Sequence, residues 1–94
     1  MGLEDVRAAI DRIDDQILAL LAQRQQQVQA VTRFKADDAA VQAPERRAAL
    51  MARLHERAAE EGVDPEVVTA TWTAMIDAFI ALELRELHSG HGAG

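Results

Sequence analysis

Residues 3–34, LEDVRAAIDRIDDQILALLAQRQQQVQAVTRF, contain neither glycine nor proline. Apolar side chains recur at Val6, Ile10, Ile13, Ile17, Leu20, Val28 and Val31, in steps of three and four wherever the series is unbroken. That spacing lines one face of an α-helix. Glu4 and Asp5 fall in the first turn, where the helix dipole favours negative charge. The stretch predicts one very long amphipathic helix. At 1.5 Å per residue it would be about 48 Å long, whereas a compact chain of this size has a radius of gyration of about 12 Å. One chain cannot wrap such a helix along its whole length, so the stripe predicts a homodimer in which the long helices pack against each other.

Outward from that helix, residues 36–43 are short and mostly small or polar and read as a connection, with Pro44 suited to the first turn of a second helix. Leu50, Met51, Leu54 and Ala58 give that helix its apolar stripe. Gly62 is placed to end it in a left-handed cap, and Asp64 to cap a third helix with Pro65 in its first position. Val68, Trp72, Met75, Ile76, Phe79 and Leu87 carry the helical period to about His88. Residues 89–94 are glycine and small residues with one histidine and predict a flexible tail. The expected fold is all-α, three helices in one domain over residues 1–88, followed by the tail.

The 94 residues carry 16 acidic against 10 basic side chains, a formal charge of -6, with 49 % hydrophobic residues. This balance excludes a disordered chain, and no apolar run reads as the roughly 18 residues of a membrane span. The absence of cysteine excludes disulfides, thiolate ligands and a thiol nucleophile. Net acidity, and a third helix that is acidic and apolar rather than basic, argue against nucleic-acid binding. His88 and His91 sit at the glycine-rich end and His55 on another helix, so no metal site is expected. Met1 to Asp5 lack the charged and apolar blocks of a signal peptide, and the expected location is cytoplasmic.

Residues that break the stripes carry the chemistry. Arg24 stands where steps of four from Leu20 to Val28 reserve an apolar side chain. A snorkelling or ion-paired arginine is the commoner explanation, but Arg24, Val28, Val31 and Lys35 step by four, three and four, which puts both cations on one helical face. About 16 Å apart along the axis, they bracket a gap suited to a small dianion. Arg24 can grip a carboxylate bidentately, and Lys35 offers a point charge for a second anionic centre. On the third helix Trp72, Ile76, Phe79 and Glu83 repeat the same steps and set a carboxyl on an apolar face. Alone it would read as a helix end reaching water. Beside inward cations it reads as an acid held partly neutral and able to donate a hydrogen bond. Arg46 and Arg47, after Pro44, add positive charge where the connection meets the second helix, although arginines so placed are usually solvated surface.

Ile10-Asp11-Arg12-Ile13-Asp14, Arg24, Arg33-Phe34-Lys35 and Ala43-Pro44-Glu45-Arg46 together resemble the all-helical chorismate mutase family over roughly residues 3–88. The loop from Phe34 to Arg46 is most similar to that family's isochorismate-pyruvate lyase branch. The resemblance implies an intertwined helical dimer whose pocket takes a dicarboxylate enol ether, with no cofactor. It implies that Arg24 binds a carboxylate, that Lys35 serves the ether oxygen and a carboxylate, and that Arg46 helps close the site. Arg7 matches an arginine supplied by the partner subunit, and Glu83 a position usually held by glutamine. Two positions depart from bacterial mutases: Arg47 replaces an acidic residue that contacts the substrate hydroxyl, and Ala43 replaces a loop aspartate. Isochorismate, whose hydroxyl lies elsewhere on the ring, would not need that contact.

The first reading is a chorismate mutase, because the mutase reaction is the broader property of the fold; an isochorismate-pyruvate lyase stands close behind. Both reactions are pericyclic and need no nucleophile or metal. The third reading, a non-catalytic helical dimerisation module, explains the stripe but not its interruption by Arg24 and Glu83.

Overall fold

The computed structural model describes the backbone of residues 2–93 and the side chains of residues 2–89. The uninterrupted run of helix formers makes a single helix, α1 (Leu3–Thr32). Asp5 Oδ2 accepts a hydrogen bond from the Gly2 N–H at 3.0 Å, tying down the chain as it enters the first turn. The helix stops two residues earlier than its sequence pattern suggests. Phe34 and Lys35 donate their N–H groups to the carbonyls of Val31 and Thr32 at 2.9 and 3.1 Å, one last tight turn that leaves Lys35 beyond the helix.

The connection read as plain loop contains a one-turn helix, α2 (Asp38–Gln42), capped by Asp37, whose Oδ1 accepts from the Ala40 N–H at 2.9 Å. This turn buries Val41 to 2 % exposure. Ala43 ends α2 and opens the next helix, α3 (Pro44–Glu61), in a left-handed conformation with φ 38° and ψ 60°. A Cβ in that region costs roughly 1–2 kcal/mol. Ala43→Gly is therefore expected to stabilise the chain by about 0.5–1 kcal/mol after the extra entropy of an unfolded glycine, read as a higher midpoint in urea.

Gly62 at φ 73° closes α3, its N–H bonded to Ala58 O. The last helix, α4 (Pro65–Ala93), begins at Asp64, whose Oδ1 accepts from the Glu66 N–H at 2.7 Å. It runs past His88, where the sequence period fades. The side chains of the expected flexible tail, Ser89 aside, lie outside the described residues, and His91 with them. Among the described residues no group of three histidine or acidic side chains gathers to hold a metal.

α4 is the centre of the fold and packs against α1, α2 and α3. Its inward side holds Val68, Ile76, Glu83 and Leu87, and Ala58 of α3 is buried with them. Residues Pro65–Ser89 are also long and apolar enough by composition to cross a membrane, with mean hydropathy 1.5, a feature the sequence reading missed. Only 17 % of that apolar window is buried in the single chain, so its apolar surface exceeds what α1, α2 and α3 cover, and α4 also carries an ion-paired carboxylate. Only the C-terminal half of α1 meets α4, where Gln29 Nε2 donates to Glu86 Oε1 at 2.5 Å, while Leu3, Val6, Ile10, Ile13, Ile17 and Leu20 are all 44–62 % exposed. The chain is accordingly extended, 57 × 27 × 16 Å with a radius of gyration of 16.5 Å.

Candidate active site

Four pieces of chain converge at the inner end of α1. Arg24 and Val28 come from α1, Lys35 from the turn after it, Arg46 and Arg47 from the first turn of α3, and Phe79 and Glu83 from α4. Val41 and Ala43 roof the space. The cavity measures about 560 Å³, within the range of small-molecule sites. Four cations and one carboxylate face it, a strongly positive pocket in an acidic protein.

Arg24 lies inside, as its place in the stripe predicts. Its guanidinium carbon sits 4.8 Å from the centre of the Phe79 ring, a cation–π contact that holds the planar group in place. Nη1 is buried without a hydrogen-bond partner among the described residues. Burial lowers the pKa of Arg24, the nearby Arg46 charge lowers it further, and Glu83 opposes both. An unsatisfied buried N–H costs about 1–3 kcal/mol.

Glu83 is 6 % exposed, so it does not reach water at a helix end. Lys35 Nζ donates to Glu83 Oε1 at 2.9 Å, and Thr32 Oγ1 lies 2.9 Å from the same oxygen. Lys35 and Arg24 do line one pocket, but not as two residues of one helical face: Lys35 arrives by the tight turn after α1. Val31 lines the pocket with Arg24, Val28 and Lys35, and Thr32 beside it is buried against Glu83 of α4. Thr32 is 6 % exposed where Val31 is 49 % exposed. Continuing by four from Arg24 through Val28 lands on Thr32, a signal available in the sequence but masked by the preference for an apolar residue at Val31.

Arg46 is solvent-exposed at the rim. Arg47 forms part of the wall, its Nη1 held by Asp77 Oδ1 at 2.8 Å. Arg7 is elsewhere. It is exposed, pairs with Glu4 at 3.4 Å, and lies about 26 Å along α1 from Arg24, out of reach of its own chain's pocket.

A long helix with an exposed apolar half, a strongly cationic cavity at its inner end and a half-buried lysine–carboxylate pair define an all-helical protein with a candidate site for a small anion. The chain belongs to the chorismate mutase type II family, whose profile matches residues 6–84. It is 40 % identical to the isochorismate pyruvate lyase of Pseudomonas aeruginosa over 92 residues, 98 % of this chain and 91 % of that protein.

Proposed function

We propose that the pocket binds a chorismate-type dicarboxylate enol ether and catalyses the rearrangement of chorismate to prephenate. The half-buried Arg24, which interrupts the apolar stripe and lines a cavity together with Lys35, Arg46 and Arg47, is the observation that carries this reading. In the reaction the ether C–O bond breaks as a C–C bond forms between the side chain and the ring, with negative charge building on the ether oxygen. The protein must hold a folded conformer and place donors at that oxygen. Arg24 and Arg46 grip the carboxylates. Lys35, with three N–H donors and only one committed to Glu83, has capacity left for the ether oxygen. Glu83 supplies a second donor when it carries a proton.

A second reading, isochorismate-pyruvate lyase activity, is favoured by the wall of the pocket. Ala43 and Arg47 line it, so the loop offers no carboxylate to a ring hydroxyl, and the relative of Pseudomonas aeruginosa bears the lyase name. There the ether C–O bond breaks while a ring hydrogen passes to the enolpyruvyl methylene, giving salicylate and pyruvate. The same donors serve the same oxygen. Incubating the purified protein separately with chorismate and isochorismate, and measuring prephenate, salicylate and pyruvate, separates the two readings by their kcat/KM. No turnover of either substrate would overturn both and leave the dimerisation module.

The proposed working form is an intertwined homodimer in the cytoplasm. Among the described residues, eight large apolar side chains of α1 are exposed in the single chain, and a second α1 would cover those along the stripe. The same arrangement would bring the partner's arginine, equivalent to Arg7, to a pocket its own copy cannot reach. Sedimentation at low micromolar concentration is expected to show two chains; a folded, sharply melting monomer would sink the arrangement.

A further inference from the structure

We infer that Thr32 is a positioning residue that holds Glu83 Oε1 as an acceptor and thereby directs the proton of the acid form to Oε2. The inference rests on the proposed role of Glu83 as a donor. The Thr32 hydroxyl is buried at the end of α1, with Val28 O at 2.8 Å and Glu83 Oε1 at 2.9 Å. One hydroxyl proton faces two acceptors. When Glu83 is ionised the charge-assisted bond to the carboxylate is the stronger, and the proton lies toward Oε1. Lys35 Nζ, 2.9 Å away, donates to that same oxygen. An oxygen already receiving two donors is the less favourable place for a proton, so protonation falls on Oε2, which makes no hydrogen bond among the described residues.

The other charges around Glu83 do not select between its oxygens by hydrogen bonding. Arg24 of α1 acts on it through space. Arg46 and Arg47 of α3 line the same cavity, but Arg47 is held by Asp77. Asp38 of α2 pairs with His88 of α4 at 2.8 Å, and Glu86, one turn along α4, is tied to Gln29. Thr32 is thus the neutral donor on Oε1 and Lys35 the charged one. Because Thr32 is covered by Val28 and Glu83, it orients the acid without touching substrate.

Thr32→Val keeps the side-chain shape and removes the donor, while Thr32→Ser keeps the hydroxyl. With Thr32→Val, kcat is expected to fall about tenfold with KM changed less than twofold, the size of effect expected for one misaligned donor. The 13C shift of the Glu83 carboxyl, assigned by its disappearance in Glu83→Gln, is expected to change in Thr32→Val, because the carboxylate loses a hydrogen bond at Oε1. Thr32→Ser is expected to restore both, and Thr32→Ala repeats the measurement if the valine variant loses helicity. Wild-type kcat and an unchanged carboxyl shift in Thr32→Val would overturn the inference. A wild-type protein that turns over neither substrate would instead fail the functional reading, and the carboxyl shift would still decide the role of Thr32.

Discussion

Arg24→Ala is expected to lower kcat/KM by two to three orders of magnitude while the midpoint of thermal unfolding stays within a few degrees. The two halves of the result have separate causes. A guanidinium aimed into a cavity, fixed by Phe79 at 4.8 Å, contributes about 3–4 kcal/mol when it orients a carboxylate and stabilises the charge of the transition state. Its removal costs the folded chain little. The cation–π contact is worth about 0.5–2 kcal/mol, and against that loss stand the relief of the unpartnered Nη1 and the better helix propensity of alanine. Circular dichroism and steady-state kinetics on the same preparation test both halves. Activity retained within a few fold would make Arg24 a structural arginine. A collapse of helicity would show that the pocket depends on it for folding.

Glu83 governs the second large effect. A carboxylic acid can donate to the ether oxygen, whereas a carboxylate repels the negative charge building there. Turnover at saturating substrate is therefore expected to fall as pH rises. Glu83→Gln supplies an uncharged donor of nearly the same shape and is expected to flatten that decline. Glu83→Ala is expected to lose about 100-fold or more at every pH, and also to leave the Lys35 ammonium without its partner at 2.9 Å. Identical pH profiles for wild type and the glutamine variant would show that Glu83 is not the titrating donor. With Lys35 and Thr32 both against Oε1, a substrate that takes up part of the Lys35 charge weakens the grip on the ionised form, so binding and proton uptake are expected to be coupled. Affinity for a dicarboxylate inhibitor measured in buffers of different ionisation enthalpy would detect that uptake.

The inward cation and the buried acid were legible because each broke a regular series. Arg24 interrupts steps of four and Glu83 interrupts the Trp72, Ile76 and Phe79 face, and both lie in the pocket. Lys35 was found on a wrong premise. The helix ends at Thr32, and the tight turn that follows returns Lys35 to the same side. Thr32 was missed because a hydroxyl on an inward face carries no charge to mark it, and its partner Glu83 is 51 positions away. Asp37 could have revealed α2, since aspartate is a preferred N-cap residue, but a single turn leaves no period to detect.

By itself the sequence determined the long helix, the placement of Gly62 at the end of one helix and Asp64 at the start of the next, and the residues at which an apolar face admits charge. These are local matters: helical period, capping and the absence of glycine and proline act within a few turns of chain. Only the tertiary structure decided which faces meet. Ile10 and Ile13 belong to the same stripe as Val28, yet the first two face solvent in the single chain and the third lines a cavity. Arg46 and Arg47 are adjacent, but one stands free at the rim and the other is pinned by a carboxylate 30 positions away. Partners far apart in sequence are chosen by the packing of α4 against three helices at once. A periodic pattern names the face to be covered; what covers it depends on the closure of the whole chain.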